Sequence, residues 1–207
     1  MRTFLTPRDL KAQLEQAAAT LPSGHFIRKP KNQHLKDIWT AAHFGLGYQR
    51  HVRPCTLWAN SEQNSDTDFV LKTECGEFPF QTTLSDVPER RMSNEHKPGP
   101  DGKFPGRPYR PDRGTREGPK WIADAVRKKV DAKYSAAHEL NLLVYATFST
   151  NGLDYESVRT AVSEFAGRFA SIWVVTNHLV CSVRSFPALG EISGLRMIYD
   201  EQDLSAL

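Results

Sequence analysis

The sequence predicts an α/β (α+β) protein in which a mixed central sheet is flanked by helices. Three observations lead to this prediction. Apolar residues first recur at helical spacing, segments of β-forming residues follow, and a helical pattern later separates two continuous apolar runs. A helix between two apolar strands is typical of a crossover connection, whereas two strands around a short turn form a hairpin, so both strand directions are expected in one sheet.

The first helix is indicated by its capping residues and by its periodicity. Thr6 is a suitable N-cap, and Pro7 suits the first helical position because a proline there loses no intrahelical hydrogen bond. Leu10 and Leu14 then repeat at helical spacing. An N-terminal helix is therefore expected within residues 1–24.

A second helix and three strands are expected next. The helix is predicted over residues 34–44, because Gly45 and Gly47 should end it. The strands are predicted at 54–59, 67–73 and 78–84. The last two strands surround a short glycine-containing turn and so form a hairpin. Pro79 has no amide hydrogen to donate, which favours an edge strand or a bulge at that point.

Residues 86–120 are predicted to be a long, basic loop rich in proline and glycine. Seven of the thirteen prolines fall there, with nine Lys and Arg against six Asp and Glu. The segment has almost no aliphatic residues and therefore cannot build a core. A loop of this length is usually functional or disordered.

The remaining elements follow this loop. Pro119 is expected to begin the third helix. The pattern then predicts a buried strand at 140–148, a helix at 155–169, and strands at 171–175 and 179–183. All four tryptophans lie in apolar patterns and are expected in the core, namely Trp39, Trp58, Trp121 and Trp173.

One domain is expected over residues 1–207, since domains typically hold about 100–200 residues. Its core is predicted at about 35–185, and the tail, 186–207, is weakly patterned.

Composition limits the classes of function. The net charge of +3 permits nucleic-acid binding without requiring it. The three cysteines are odd in number and far apart, so neither a disulfide framework nor a cysteine zinc site is expected. The N-terminus becomes charged too early for a signal peptide, and no apolar run approaches about 18 residues. A soluble, cytoplasmic protein without a membrane span is therefore expected.

A polar pattern lies on the predicted hairpin, in the stretch SDTDFVLKTECGEFPFQTT. The order αβββαβ with a mixed sheet resembles the restriction-endonuclease-like core of the PD-(D/E)xK nuclease superfamily. In that family an Asp starts one strand and a (D/E)xK tripeptide lies on the next. Here Asp68, or Asp66, takes the place of the first acid, and Gln81 takes that of the second. Thr83 stands where the family has lysine.

The resemblance implies a divalent metal ion, expected to be Mg²⁺, held by Asp68 and Gln81, with Glu77 as a competitor for the second position. Phosphodiester hydrolysis uses such a hard cation, bound through one or two carboxylates, water and the substrate phosphate. The missing positive charge is expected from the helix that follows the long loop. Its candidates are Lys128, Lys129 and Lys133, of which Lys129 is assigned the catalytic role.

Contacts with DNA or RNA are expected from arginines of the long loop. Arginine side chains there can follow a phosphate backbone, and the set comprises Arg90, Arg91, Arg107, Arg110 and Arg113. The alternative is a surface loop of mixed charge that is merely solvated, since six acidic residues dilute the basic ones.

The chain is also similar to a group of bacterial proteins with no established activity, through the stretches DFVLKT, WIADAVRKKVDAKY and LNLLVYAT. Two hypotheses follow for its function. The first is a metal-dependent nuclease, or a nuclease-like protein that binds nucleic acid. The alternative is a non-catalytic adaptor or protein-interaction module on the same scaffold. The oligomeric state is left open.

Overall fold

The structure is a computed structural model that describes residues 2–20, 33–60, 65–89, 111–132, 137–148, 150 and 152–199. Four α-helices are found in these ranges: α1 (Pro7–Ala19), α2 (Gln33–His51), α3 (Pro111–Asp131) and α4 (Tyr155–Val162). The strands are β1 (Thr56–Ala59), β2 (Phe69–Thr73), β3 (Gly76–Ser85), β4 (Asn141–Ala146), β5 (Ser171–Val175), β6 (Leu179–Arg184) and β7 (Arg196–Met197). Short 3₁₀ turns occupy Ala137–Glu139 and Ser163–Phe165.

All seven strands form one sheet in the order β1-β2-β3-β4-β5-β6-β7. β3, β4 and β5 are parallel to one another, and the remaining neighbours are antiparallel. α3 connects β3 to β4, and α4 connects β4 to β5, as parallel neighbours require. The predicted fold class, a mixed central sheet flanked by helices, is confirmed.

Apolar layers cover both faces of the sheet. α1 and α2 cover one face, where Phe44, Phe80 and Trp173 are fully buried. α3 and α4 cover the other face, through Ile122, Val158 and their neighbours. Burial on both sides explains why β4 and β5 are continuous apolar runs. Whether the chain is a single domain remains a prediction.

The N-terminal helix begins as predicted, but α2 is longer than expected. The Thr6 side chain accepts a hydrogen bond from the amide of Asp9, and Pro7 starts α1. α2 continues through Gly45 and Gly47 to His51. A Cβ at Gly45 would lie 2.6 Å from Leu57, and one at Gly47 would lie 2.5 Å from Val180. These glycines therefore allow the helix to approach the sheet closely and do not end it.

The predicted loop 86–120 is wrong at its C-terminal end, because α3 begins at Pro111 and not at Pro119. Ion pairs between successive turns support the added segment: Arg116 with Asp112 at 3.2 Å, and Arg113 with Glu117 at 2.9 Å. Pro119 lies inside the helix, where proline costs about 3 kcal/mol. The buried face that follows it offsets that cost. Residues 90–110 of the predicted loop lie outside the described residues.

Pro79 does not mark an edge strand, because β3 pairs with β2 on one side and with β4 on the other. The pairing with β4 starts at Phe80, opposite Asn141, so Pro79 lies one residue before that ladder. The Pro79 carbonyl accepts a hydrogen bond of 2.9 Å from the Asn141 side chain. The strand therefore tolerates a proline at a position where its missing amide hydrogen breaks no pairing with β4.

The tail also differs from expectation, because part of it joins the fold. Leu189, Ile192 and Ile198 are buried in the α2-side layer, and β7 pairs with β6. Sparse apolar residues without periodicity carry no strand signal, so the sequence does not reveal this contribution. In the described part of the chain, none of the helices has both the length and the apolar character needed to cross a membrane.

Replacing Gly118 tests the close contact between α3 and the segment that joins β4 to α4. A Cβ there would lie 2.7 Å from Phe148 and 3.0 Å from Leu153. We expect Gly118→Ala to lower the free energy of unfolding by about 1–2 kcal/mol, since overpacking outweighs the gain in helix propensity. Urea denaturation checks this. Lys120→Ala, at an exposed position of the same helix, is the control and should change stability by less than about 0.5 kcal/mol. A Gly118→Ala protein more stable than wild type would contradict the packing.

His43 makes stability depend on pH. Burial lowers the pKa of His43 from 6.5 to about 4, although its hydrogen bond to the Trp39 carbonyl opposes the shift. The unfolded chain then binds a proton at higher pH than the folded chain does. Stability should therefore fall as the pH drops from about 6.5 to about 4, by about 3 kcal/mol. Urea unfolding across this range should show the slope in wild type and a shallower slope in His43→Phe. Equal slopes in wild type and His43→Phe would contradict the assignment of this pH dependence to His43.

Candidate functional site

A cleft opens at the carboxyl ends of the three parallel strands. In open α/β sheets, ligands bind at this edge, outside the ends of the strands. The cleft has a volume of about 810 Å³ and lies between this edge and the helices α1 and α2. Its lining comes from five helices and strands, from the residue before β2 and from the turn after β5: Leu14, Glu15, Ala18, Lys36, Asp37, Trp39, Thr40, Asp68, Gln81, Thr82, Thr83, Leu84, Lys129, Tyr145 and Asn177.

Asp68 reaches this cleft because β2 runs antiparallel to β3. The start of β2 therefore lies beside the C-terminal half of β3, and Asp68 immediately precedes β2. Its backbone is fixed from both sides. The Asp68 amide donates to the Phe80 carbonyl at 2.8 Å, and the Asp68 carbonyl accepts from the Asn60 amide at 2.8 Å. The position of this carboxylate is thus set by the sheet itself.

The Asp68 carboxylate binds β3 through three hydrogen bonds. Its Oδ2 accepts from the Thr82 amide at 2.6 Å and is 2.7 Å from the Thr82 hydroxyl. The Gln81 side chain donates to the same oxygen through Nε2. These donors all meet Oδ2, so Oδ1 is the oxygen that a further ligand would use.

A second carboxylate meets the same hydroxyl. Asp37 of α2 places Oδ1 3.0 Å from Thr82 Oγ1. One hydroxyl hydrogen cannot serve Asp37 and Asp68 at the same time. Two acids and a hydroxyl therefore gather three oxygen atoms around one point of the cleft.

Two lysines bring positive charge to this cluster of acids. Lys36 precedes Asp37 on α2, and Lys129 comes from the last turn of α3. Burial lowers the pKa of Lys36, while the neighbouring charge of Asp37 opposes that shift. The cleft therefore holds ammonium and carboxylate groups together, as a site for a phosphate and a cation requires.

The structure brings together the three residues assigned to catalysis from sequence, Asp68, Gln81 and Lys129. Thr83 also lines the cleft. Other candidates lie elsewhere. Glu77 pairs with Lys72 and Arg2 at the opposite end of β3. Neither Asp66 nor Lys128, whose side chain is exposed, is part of the cleft lining. Lys133 lies outside the described residues.

Most of the predicted arginine set cannot be placed. Arg90, Arg91, Arg107 and Arg110 lie outside the described residues, and their contact with nucleic acid stays a prediction. Arg113 belongs to α3, where it pairs with Glu117 at 2.9 Å and with Glu89 at 3.4 Å. The hydrogen bonds that Arg113 donates, first those to Glu117 and then that to Glu89, raise the pKa of Arg113. Its guanidinium also lies 5.3 Å from the centre of the Trp121 ring.

Sequence reasoning missed Asp37, Lys36, Trp39, Tyr145 and Asn177, all of which line the cleft. Asp37 and Lys36 resemble ordinary solvated residues of an amphipathic helix, and only the packing of α2 on β3 directs them inward. Trp39 was expected in the core, yet it is only half-buried. The polar residue after β5, Asn177, is the one signal that was available, because loops after parallel strands often carry ligand contacts.

The oxygen atoms of the cleft fit a hard divalent cation such as Mg²⁺. Mg²⁺ needs only one or two carboxylates, with water and substrate phosphate completing its shell. Asp37 and Asp68 supply two, and rotation of the Gln81 amide would present its oxygen instead of its nitrogen. Among the described residues there is no group of three or more His, Cys, Asp or Glu side chains that could hold an ion.

Removing the Thr82 hydroxyl tests how the two carboxylates are held. Thr82→Val should lower the free energy of unfolding by about 1–3 kcal/mol, because Asp37 and Asp68 lose a shared polar partner. Adding Asp37→Asn to this variant should recover part of the loss, since it removes one of the two like charges. Urea denaturation provides the measurement, with Thr83→Val as the control on the adjacent residue. A Thr82→Val protein as stable as wild type would contradict the bridging role.

Comparisons with known proteins identify no family. No family model matches the chain, and no curated protein matches it. Among solved structures, the chain is similar to a Pseudomonas aeruginosa protein of unknown function assigned to the monooxygenase superfamily. That likeness has a TM-score of 0.45 at 14% sequence identity, and it covers 94% of each chain. At this level of similarity, it does not bear on the chemistry of the cleft.

Proposed function

We propose that this protein is a metal-dependent phosphodiesterase that acts on nucleic acid, with its active site in the cleft at the ends of β3, β4 and β5. One observation carries the proposal. Asp68 and Gln81 of the hairpin, Lys129 of α3 and Asp37 of α2 all line that cleft. Carboxylates for a cation and an ammonium for a phosphate are the two components that phosphodiester hydrolysis needs.

Each side chain has a distinct role in this proposal. Asp68 and Asp37 would hold Mg²⁺ through their carboxylates, and Gln81 would contribute its amide oxygen after rotation of the amide. Such an ion would supply polarisation of the phosphoryl group and an activated water molecule. Lys129 stabilises negative charge on the phosphate oxygens, where a fixed cation in a partly enclosed site is effective. Lys36 lies beside Asp37 and limits the excess of negative charge before an ion binds.

The resemblance to PD-(D/E)xK nucleases supports the same assignment. Asp68 precedes β2, Gln81 and Thr83 lie on β3, and the order helix, three strands, helix, strand is present. Thr83 departs from the lysine of that family. In the proposed site, Lys129 of α3 supplies the charge from a different element.

A specific observation favours a second candidate, a non-catalytic nucleic-acid-binding or adaptor protein on this scaffold. Three donors meet a single oxygen of Asp68, which therefore ties the start of β2 to β3. This structural role is sufficient to account for a carboxylate at Asp68 without a bound metal ion. Turnover distinguishes the two candidates.

Cleavage assays test the proposed activity. Plasmid DNA, single-stranded DNA and RNA should be cleaved in Mg²⁺ or Mn²⁺ and left intact in EDTA. Asp68→Asn, which keeps the side-chain shape and removes the charge, should reduce the rate by about 100-fold or more, as expected when a key electrostatic group is lost. Lys129→Ala should have an effect of about 10- to 100-fold by the same reasoning.

Matched neighbours serve as controls. Asp66→Asn and Lys128→Ala change exposed residues outside the cleft lining, and both proteins should retain wild-type rates. Failure of the folded wild-type protein to cleave any of the three substrates would overturn the catalytic proposal. Binding of the same substrates without turnover would establish the second candidate.

A further inference from the structure

One wall of the cleft is apolar and open to solvent. Leu84 is 48% exposed and, with Met197 at 40%, is one of two large hydrophobic side chains that are exposed in the described part of the chain. Its partner on β4 in the parallel ladder is Tyr145. Both residues line the cleft at the end of the strands, and Trp39 of α2 belongs to the same lining. An apolar wall beside an ion site is suited to a ligand with an apolar face as well as a charge.

The aromatic residues of this wall are held in place. One side of the Trp39 ring lies against His43, with 4.0 Å between ring centres. Burial keeps the pKa of His43 at about 4, so this support is uncharged near neutral pH. The Tyr145 hydroxyl donates to the side-chain oxygen of Asn177. That bond holds the Asn177 side chain beside Tyr145 in the cleft lining.

We propose that this wall, formed by Trp39, Leu84, Tyr145 and Asn177, is a pocket for an unpaired nucleobase, so that the substrate is single-stranded nucleic acid. The proposal rests on the function proposed above and specifies its substrate. A base whose phosphate reaches Lys129 lays its ring against the apolar side chains. The Asn177 amide then donates to a carbonyl oxygen or ring nitrogen on the edge of the base.

Charge suits a nucleic acid, and shape favours a single strand over a duplex. The one other acid of the lining, Glu15, is paired with Lys11 at 2.8 Å, and Lys36 and Lys129 bring two ammonium groups to the same lining. Bases within a duplex are stacked on their neighbours, so their faces cannot reach the wall. An unpaired base presents a face to Leu84 and Tyr145, and such contacts strengthen binding by about ten-fold per base.

Fluorescence anisotropy with three labelled probes tests the pocket. The probes are a thymidine 12-mer, an abasic strand of the same length, and a duplex of the same length. The measurement uses the full chain with Asp68→Asn in Mg²⁺, so that cleavage does not consume the probe. We expect the 12-mer to bind at least ten-fold more tightly than either other probe. Leu84→Ala should reduce its affinity to that of the abasic strand, while Leu84→Met should retain it.

Two controls accompany these variants. Met197→Ala removes the other exposed apolar side chain and should leave all three affinities unchanged. Unchanged abasic binding by Leu84→Ala shows that the variant is folded. Equal affinity for the 12-mer and the abasic strand, or tighter binding of the duplex, would overturn the base pocket alone. Absence of binding to all three probes, together with absence of cleavage, would overturn the proposed function as well.

Discussion

The parallel pairing of β3, β4 and β5 is the constraint on which the rest of this structure depends. Parallel neighbours cannot be joined by a tight turn, so α3 and α4 must cross over one face of the sheet. With that face covered, α1 and α2 close the other, and the central strands become apolar on both sides. The same pairing brings the carboxyl ends of three strands to one edge, where the cleft lies.

The composition of the cleft then depends on the antiparallel strand beside them. Because β2 starts where the C-terminal half of β3 runs, Asp68 arrives at an edge otherwise formed by parallel strands. Its hydrogen bonds to Thr82 and Gln81 fasten the two strands together. A single carboxylate thus contributes to the sheet through one oxygen, and in the proposed site it would bind the ion through the other.

The sequence was sufficient for the elements that have a strong local signal. The Thr6 cap, the buried runs of β4 and β5, and the facing positions of Asp68 and Gln81 on a hairpin all follow from short-range patterns. The helix boundaries predicted from glycine and proline are wrong where tertiary packing overrides local conformational preference. Gly45 and Gly47 lie inside α2 because the absence of a side chain there lets the helix approach the sheet closely. Pro119 lies inside α3 because the buried face of that helix offsets the cost of the proline.

The candidate site likewise contains some residues that the sequence predicts and others that it does not. Lys129 could be predicted from the sequence because the helix that follows the long loop, α3, contains few lysines. Asp37, Tyr145 and Asn177 could not be predicted as site residues, since their proximity depends on how α2 and two strand ends are placed in space. No spacing along the chain encodes that placement. Residues brought together by long-range packing have to be found in three dimensions.

The two glycines of α2 have a consequence for genetic screens. Any side chain at Gly45 or Gly47 would push α2 away from Leu57 and Val180. The helix that would move also carries Lys36, Asp37 and Trp39. A search for loss-of-function alleles should therefore recover substitutions at these glycines alongside those in the cleft. A map of such alleles would then mark the packing contact between α2 and the sheet, which lies outside the cleft lining.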